Sequence, residues 1–437
     1  MARHLSTARM TRTAAQRGFL LLGLMQIAFG FALNGQQNIV TNYFDGILHL
    51  AGPQFGYITA IREVPGFLLI FLSALFYRVT LQRVTAGALM LLAIAYALFG
   101  LSHSFWTVAP WVILSSMGYH TVLQTQNALA LNLATEAKSG AILGRMNAIN
   151  QGGSLAALIF IFITFHYGLL SFRPAFVVLG VVALLGGIAV LGFPHLHDGE
   201  ERQQAARRAP IVFRRHYRYY YFLTLIDGGR QQIFFSFGLY VLVHAFHLGV
   251  AQVSALLIAV TFAAMLAGPT IGRLIDTYGE RRMLSVVNVA YVVALSGYAF
   301  TQNIIVACGC YVVYTFISPL SSIAASTYLR KVAVAEDIAP SFAMGTTMQH
   351  AAAIVVPVTA GIILNYAGYQ IPFMIACGFA CLNFIVTQRL DPAAQRSPAR
   401  IAADNARHAA AAAVEDARAG QSDSPSRPAA ATGGGAD

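Results

Sequence analysis

Charged residues are scarce in this chain. Of its 437 residues only 10% are Asp, Glu, Lys or Arg, whereas 57% are hydrophobic, and the mean hydropathy is +0.62. A soluble globular domain carries about 25% charged residues. The composition therefore excludes a soluble protein of this length and indicates a bundle of membrane-spanning helices.

The chain also lacks the motifs of several functional classes. It contains no Gly-x-x-x-x-Gly-Lys-[Ser/Thr] phosphate-binding loop, no His-Glu-x-x-His pair and no nucleophile elbow. Its four cysteines show no zinc-binding or redox spacing. We therefore predict that the protein is not an enzyme, needs no cofactor or metal ion, and does not use ATP directly.

The basic residues are distributed along the chain rather than gathered on one soluble segment. The formal net charge is +11, but the arginines and lysines fall between apolar runs, so we predict no nucleic-acid partner. They occur before the first apolar run and then at every second connection, as at Arg83, Lys138, Arg282 and Lys331. The positive-inside rule then places both termini in the cytoplasm, as in a multi-pass protein of a cell membrane, here the bacterial inner membrane.

Apolar runs of roughly 18 to 25 residues, long enough to cross a bilayer, recur twelve times in the sequence. Their centres lie near Phe29, Gly66, Ala93, Tyr119, Ser154, Val182, Ile233, Phe262, Val292, Phe316, Ile354 and Cys377. We predict an all-α membrane protein of twelve transmembrane helices in two six-helix pseudo-repeats. The expected parts are a basic N-tail (1–17), a first half (18–193), a cytoplasmic linker (194–218), a second half (219–388) and a disordered cytoplasmic tail (389–437).

A short charged loop between two apolar runs carries the most specific pattern. It spans Gly268 to Arg282 and reads Gly-x-x-x-Asp-x-x-Gly-x-Arg-Arg from Gly272 onward. This spacing resembles the signature loop of the major facilitator superfamily, although Glu280 stands where that family usually has a basic residue. The resemblance implies a secondary transporter whose two halves rock about a central site. It also implies a conformational gate, which we assign to Gly272, Asp276, Gly279, Arg281 and Arg282, with Arg145 as a further gate or anchoring residue.

The first half lacks a full copy of this loop. The corresponding segment, Ser73 to Arg83, has Tyr77 in place of the acid. The resemblance assigns that acid to a charge relay that holds the cytoplasmic side closed, so we expect only the second-half copy to act in this way.

Ionisable residues within the apolar runs are the candidates for function, because each costs at least about 2.5 kcal/mol to place in a membrane. Arg62 and Glu63 lie in the second run, and Asp227 and Arg230 lie three residues apart in the seventh. We predict proton coupling through Glu63 or Asp227, with two further titratable candidates, His120 and His350. The alternatives are a self-satisfied Asp227–Arg230 pair that holds the structure together, and histidines that serve only packing.

Arginines and amides near the middle of the apolar runs indicate a polar solute. Arg62 and Arg230 can hold a carboxylate or phosphate bidentately, and we predict further solute contacts from Asn34, Gln37, Tyr119 and Gln231. The sequence thus predicts proton-coupled uptake of a small polar, anionic solute by a protein that can work as a monomer. The alternatives are proton-driven efflux of drugs or metabolites, and a non-transporting membrane sensor or scaffold on the same fold.

Overall fold

In the computed structural model, residues 12–72, 79–133, 139–194 and 213–422 are described. Six helices form the first half: α1 (Arg12–Gly46), α2 (Gly52–Leu72), α3 (Leu81–Phe99), α4 (Phe105–Leu131), α5 (Ser139–His166) and α6 (Phe172–Leu191). Six more form the second half: α7 (Arg218–His244), α8 (Val250–Tyr278), α9 (Glu280–Phe300), α10 (Ile304–Val332), α11 (Ala335–Ala367) and α12 (Gln370–Thr387). A last helix, α13 (Pro398–Ser422), follows them.

Each predicted transmembrane centre falls within one of the helices α1 to α12, so the twelve-helix prediction is confirmed. In the described part of the chain, 8 helices are by themselves long and apolar enough to cross a membrane. The helices α2, α4 and α7 fall outside that group, and α8 contributes a shorter apolar stretch, Val250–Met265. In α2 and α7 the reason is plain, because their charged residues lower the mean hydropathy.

The two halves have the same internal packing. In the first half α1 packs on α5 and α6, and α3 packs on α4 and α6. In the second half α7 packs on α11 and α12, and α9 packs on α10 and α12. Adding six to each helix number converts one set of contacts into the other, which is the relation expected of a parallel repeat.

The helix connections define two sides of the bundle. We call the side with the α1–α2, α3–α4, α5–α6 connections and their counterparts in the second half the loop side. The opposite side, which carries the start and end of each half, is the terminal side. The distribution of basic residues predicts that the terminal side faces the cytoplasm.

The two halves are joined on the loop side. Asn38 of α1 donates to Ser254 Oγ of α8 over 2.7 Å, and the Asn42 amide donates to the Leu248 carbonyl over 2.8 Å. Closer to the surface, His244 Nδ1 lies 2.6 Å from Asp45 Oδ1. Between pairs of described residues, the cross-half hydrogen bonds and ion pairs lie either here or at Glu63. A solute between the halves therefore cannot leave toward the loop side until these contacts break.

Glycines allow the closest cross-half approach, between α2 and α11. A Cβ on Gly56 would collide with the backbone of Pro357, and one on Gly361 would collide with the backbone of Gly52. Backbones can pack this closely in a membrane when small residues occupy the contact. This contact lies toward the loop side and reinforces the closure there.

The C-terminal tail differs from the disordered segment that we expected. Helix α13 occupies Pro398–Ser422, and the chain before it is held against the terminal end of α10. The Ser397 amide donates to the Val332 carbonyl over 2.9 Å, and the Tyr328 hydroxyl donates to Gln395 Oε1 over 2.8 Å. These bonds anchor a segment whose composition alone indicated disorder. The predictions for Tyr77, Lys138 and most of the linker fall outside the described residues.

Candidate functional site

A cavity of about 510 Å³ lies between the two halves. Its walls come mainly from α1, α2, α4 and α7, with single contributions such as Tyr311 of α10 and His350 of α11. Its polar lining consists of hydroxyls, amides and a few ionisable groups: Asn34, Gln36, Gln37, Thr41, Thr59, Arg62, Glu63, Tyr96, Ser115, Ser116, Tyr119, His120, Gln232, Ser236, Thr261, Tyr311 and His350. Such a surface suits a small solute with several hydrogen-bonding groups.

Aromatic rings line the end of this cavity that is nearer the loop side. Phe44 and Phe55 meet edge to face with centroids 5.9 Å apart, and Phe55 lies 4.8 Å from the ring of Tyr240 across the boundary between the halves. Phe99 stacks on the other side of Phe44 at 6.4 Å. These rings form an apolar floor beneath the polar middle of the cavity.

Arg62 is the arginine among the cavity-lining residues. Its side chain is 45% exposed, and its Nε and Nη2 each lie 3.3 Å from Glu63 Oε1. Consecutive residues on a helix point about 100° apart, so Arg62 and Glu63 face different parts of the same cavity. Pro65 interrupts the hydrogen bonding of α2 one turn later, and the Ser116 hydroxyl of α4 donates to the Arg62 carbonyl.

Glu63 also lines the cavity, where its carboxylate faces two histidines, and its side chain is only 12% exposed. Its Oε2 lies 3.4 Å from His350 Nδ1 of the second half and 3.9 Å from His120 Nε2 of its own half. The rings of His120 and His350 meet edge to face at 5.7 Å. The structure therefore brings together three of the four predicted proton-coupling residues and makes them a contact between the halves.

The hydrogen bonds of His120 restrict where a proton can reside. Its Nδ1 lies 3.0 Å from the Ser116 carbonyl oxygen, which can only accept, so Nδ1 carries a hydrogen. In neutral His120 the Nε2 lone pair would then face the Glu63 carboxylate, and two acceptors repel each other. A proton on either His120 Nε2 or Glu63 removes that repulsion. This geometry can accommodate one proton between His120 and Glu63.

The same three side chains also have the spacing of a metal site. One ligand atom from each lies within 4.8 Å of the others, and two imidazoles with a carboxylate can hold a divalent transition metal. The guanidinium of Arg62 already lies against this carboxylate, however, and a dication would be placed beside that positive charge. The donor set therefore fits a proton better than a metal ion.

The second charge pair has a different environment. Arg230 is fully buried, bonds Asp227 and the Tyr314 hydroxyl, and has its guanidinium carbon 3.5 Å from the centroid of the Tyr291 ring. Gln231 donates to the other Asp227 oxygen over 2.9 Å. None of these residues lines the central cavity. The structure thus places Arg230 and Gln231 outside the lining of the central cavity, while Arg230 Nε keeps no hydrogen-bond partner among the described residues and Asp227 lines a separate cavity of about 120 Å³.

The remaining predicted solute residues do line the cavity. Asn34 donates to Ser154 Oγ over 2.7 Å, and Gln37 and Tyr119 face the same space. Sequence reasoning did not select Gln36 or Gln232 as solute contacts, although each is a polar residue within an apolar run and directly precedes or follows a selected amide. The tyrosines Tyr96 and Tyr311 gave no such signal, because tyrosine is common in the cores of membrane helices.

The predicted gate residues lie on the terminal side of the bundle, away from the central cavity. Gly279 separates α8 from α9 with a φ of +76°, a conformation that favours glycine. Arg281 and Arg282 are exposed in the first turn of α9, and Arg145 is exposed on α5. Glu280, the departure from the family pattern, is buried and lies 2.7 Å from Lys331 Nζ of α10. Gly272 and Asp276 lie within the last turns of α8.

Solved structures of transporters share this architecture. The nucleoside transporter NupG superposes with a TM-score of 0.70 at 14% identity, over 86% of this chain and 100% of its own, and a NupG mutant gives 0.71 at 13% identity over 85% and 99%. A bacterial homologue of the human lysosomal transporter Spinster, inward-facing and unoccupied, gives 0.70 at 12% identity over 89% and 100%. No curated protein matches the sequence. The family model described as Major Facilitator Superfamily matches residues 220–421.

Residues 220–421 thus match the major facilitator superfamily, and the chain shares the fold of solved transporters. The resemblance seen in the signature loop is therefore confirmed. In this superfamily helices one, four, seven and ten are expected to line the central cavity, and α1, α4, α7 and α10 all contribute to it here. The family model matches the second half and the tail, whereas the structural similarity extends over both halves.

Proposed function

We propose that this superfamily member takes up a small polar organic anion together with a proton. The observation that carries the proposal is the arrangement of two adjacent residues on α2. Arg62 is half exposed to the cavity, while Glu63 is directed to a histidine of each half. In this arrangement Arg62 binds the solute, and Glu63 can transmit the effect of solute binding to the contact between the two halves.

Arg62 is the proposed anion anchor. Its guanidinium shares only one Glu63 oxygen at 3.3 Å, so an incoming carboxylate or phosphate can compete for it with better bidentate geometry. Asn34, Gln37 and Tyr119 provide hydrogen-bond partners for the rest of the solute. Because Arg230 does not line the central cavity, the proposed preference for a negatively charged solute depends on Arg62.

Glu63 is the proposed proton carrier. When the solute anion binds Arg62, Glu63 loses its cationic neighbour, and its negative charge becomes more costly in the membrane interior. Protonation then removes that charge and also weakens its contact with His350 of the second half. Proton uptake and separation of the halves are thereby coupled through one carboxylate. Asp227, in its closed pair with Arg230, is the less suitable carrier.

Import is the proposed direction, because the glycine-rich signature that often marks exporters of this superfamily is missing from the fifth helix. The corresponding stretch, Asn150-Gln-Gly-Gly-Ser, is polar. The proposed location is a bacterial inner membrane with both termini in the cytoplasm.

A neutral polar solute with a ring is a second candidate. The cavity combines amides with aromatic walls, such as Tyr119 and Phe44, and Glu63 neutralises Arg62 in the solute-free state. NupG, which shares the fold, is a nucleoside transporter. Nucleosides therefore belong in the test beside organic anions.

The test is thermal stability of the purified protein in detergent against small carboxylates, phosphates, nucleosides and lipophilic cations, because a ligand that binds only the folded state raises the midpoint. We expect an anion to stabilise the wild type. In Arg62→Gln, loss of a charge-assisted contact worth about 1.5–3 kcal/mol should weaken that response roughly tenfold to a hundredfold. Arg173→Gln, which changes an exposed arginine at the loop-side start of α6, is the matched control.

Three other outcomes contradict the proposal in distinguishable ways. Stabilisation by nucleosides alone, unchanged in Arg62→Gln, would favour the neutral-solute candidate. Stabilisation by lipophilic cations alone would favour efflux. A ligand-responsive protein that moves no solute in vesicles would indicate a sensor on the transporter fold.

A further inference from the structure

A second large cavity lies on the outer surface of the first half, between α2, α3 and α4. Its volume is about 570 Å³, and all of its lining residues except Arg83 and Thr121 are apolar or glycine. It shares no lining residue with the central cavity. A groove with this lining on the outside of a membrane bundle is exposed to the hydrocarbon of the bilayer.

The polarity of the groove changes with depth in the same way as that of a lipid bilayer. Arg83 lies in the first turn of α3, at the terminal side. Leu91, farther along the same helix, lines the inner part together with Ile113 and Met117 of α4. Eight residues separate Arg83 from Leu91, which corresponds to about 12 Å of helix. The groove thus begins at the level of lipid headgroups with a cation and continues inward as an apolar channel.

Gly87 makes the middle of this groove. It lies one turn beyond Arg83 on α3, and a Cβ at that position would meet no atom within 4 Å. No backbone turn or close helix packing requires glycine here, since the position is helical and open. The absence of a side chain leaves the groove open at this point.

The guanidinium of Arg83 is available for binding. Arg83 is exposed, and the part of the chain that the structure describes gives it no hydrogen bond or ion pair. Arginine binds phosphate through two parallel hydrogen bonds, and anionic lipids concentrate near basic residues at the cytoplasmic surface.

We propose that this groove binds an anionic phospholipid, with one acyl chain beside Gly87 and the phosphate on Arg83. The charge complementarity at the mouth and the apolar lining behind it select this occupant over a soluble anion or an uncharged lipophilic molecule. The lipid would lie against the outer face of α2 around Val64 and Leu68, behind the segment that carries Arg62 and Glu63. The inference is independent of the proposed solute and coupling ion.

The test measures binding of phosphatidylglycerol and phosphatidylethanolamine to the full-length protein, by native mass spectrometry and by thermal stability in detergent. We expect the wild type to retain phosphatidylglycerol and to be stabilised by it more than by phosphatidylethanolamine. Arg83→Gln should bind phosphatidylglycerol at least tenfold more weakly and lose the preference between the two lipids. Gly87→Leu should lose the bound lipid, because its side chain fills the groove.

Matched controls separate occupancy of the groove from general effects. Gly309→Leu adds the same side chain at an open helical position of α10, and Arg173→Gln removes an arginine at the other side of the bundle. Both should bind phosphatidylglycerol as the wild type does. Gly87→Leu should also fold well, because leucine is the better helix former.

Several results would overturn the inference. Unchanged phosphatidylglycerol binding in both groove variants would place the lipid elsewhere. A Gly87→Leu variant that converts a dimer to a monomer by mass photometry would show that a second copy of the chain occupies the groove. If both lipids bound equally well, to the wild type and to Arg83→Gln alike, the groove would bind any acyl chain and would not recognise the phosphate group.

Discussion

The two halves share one helix arrangement, but their intramembrane charged residues have different environments. In the second half, Arg230 is completely buried against Tyr291 and Tyr314, and its partner Asp227 does not line the central cavity. In the first half, Arg62 is open to the cavity, and Glu63 contacts a histidine of the other half. The same residue types thus form a structural contact in one half and a candidate working site in the other.

This difference follows from the spacing within each helix. Asp227 and Arg230 are three residues apart and lie on one helical face, so each satisfies the other and neighbouring side chains can enclose both. Arg62 and Glu63 are adjacent and diverge, so each needs a separate partner. The family model matches the half with the Asp227–Arg230 pair and the complete signature loop, whereas Arg62 and Glu63 belong to the other half.

The largest expected effect is on the stability of the second half. Arg230→Met leaves the buried Asp227 without its counter-charge, which costs about 3–5 kcal/mol, so the thermal midpoint in detergent should fall sharply. The double variant Asp227→Asn, Arg230→Met should recover part of the loss. Arg62→Gln should lower the midpoint less, because Arg62 itself is 45% exposed and Glu63 keeps its two histidine neighbours. Similar midpoints for Arg230→Met and Arg62→Gln would erase the proposed distinction between the pairs.

The next effect concerns coupling in the first half. Glu63→Gln mimics the protonated carboxyl, so uptake driven by an inside-alkaline pH gradient should disappear while solute exchange between the two sides of a vesicle persists. Both can be measured in proteoliposomes with the anion that stabilises the protein. Asp404→Asn, on the tail helix, is the matched control. Full gradient-driven uptake by Glu63→Gln would exclude Glu63 as the proton carrier.

A smaller change should reveal how Arg62 recognises its ligand. Arg62→Lys keeps the positive charge but loses the planar pair of donors, so the anion should bind roughly tenfold more weakly, a loss of about 1.4 kcal/mol. Titration of the thermal midpoint measures this affinity. Wild-type affinity in the lysine variant would mean that a point charge suffices and that bidentate recognition is not used.

The smallest expected effect is at the loop-side contact between Asp45 and His244. This pair is partly exposed and should contribute less than about 1 kcal/mol. His244→Gln removes the imidazole that contacts Asp45. Spin labels at Leu169→Cys and Tyr366→Cys, in a background with the native cysteines replaced by serine, report the distance between the halves on this side.

His244→Gln should shift the population slightly toward longer distances between the two labels, because it removes one contact between the halves. Thr301→Ala, at the loop-side end of α9, is the control. A distance distribution that His244→Gln leaves unchanged would limit the loop-side closure to the buried contacts of Asn38, Asn42 and Gly56.

Much of the fold was predictable, because its determinants are local or periodic. The length of each apolar run fixes a membrane span, and the alternation of basic connections fixes a topology without any knowledge of packing. The signature loop from Gly272 to Arg282 also identified the superfamily. The contacts of the tail were not predictable, because the bonds that hold Gln395 and Ser397 against α10 depend on residues distant in sequence.

The candidate site was only partly predictable. Glu63, His120 and His350 were selected one by one as costly polar residues in apolar runs, and the structure joins them into one cluster. Arg230 and Gln231 were selected by the same rule and proved to be enclosed. The cost of an intramembrane charge marks a residue as important, but it does not distinguish a pair that is satisfied from one that is open to a ligand.

The sequence by itself determined that this chain spans a membrane with twelve helices in two related halves, because hydrophobic length and residue order act along the chain. Only the tertiary structure decided which charges face the central cavity, which are sealed, and that an acid of one half meets a histidine of the other. Those outcomes depend on which helix faces pack together, and contacts such as that between residues 63 and 350 arise only when the two halves close.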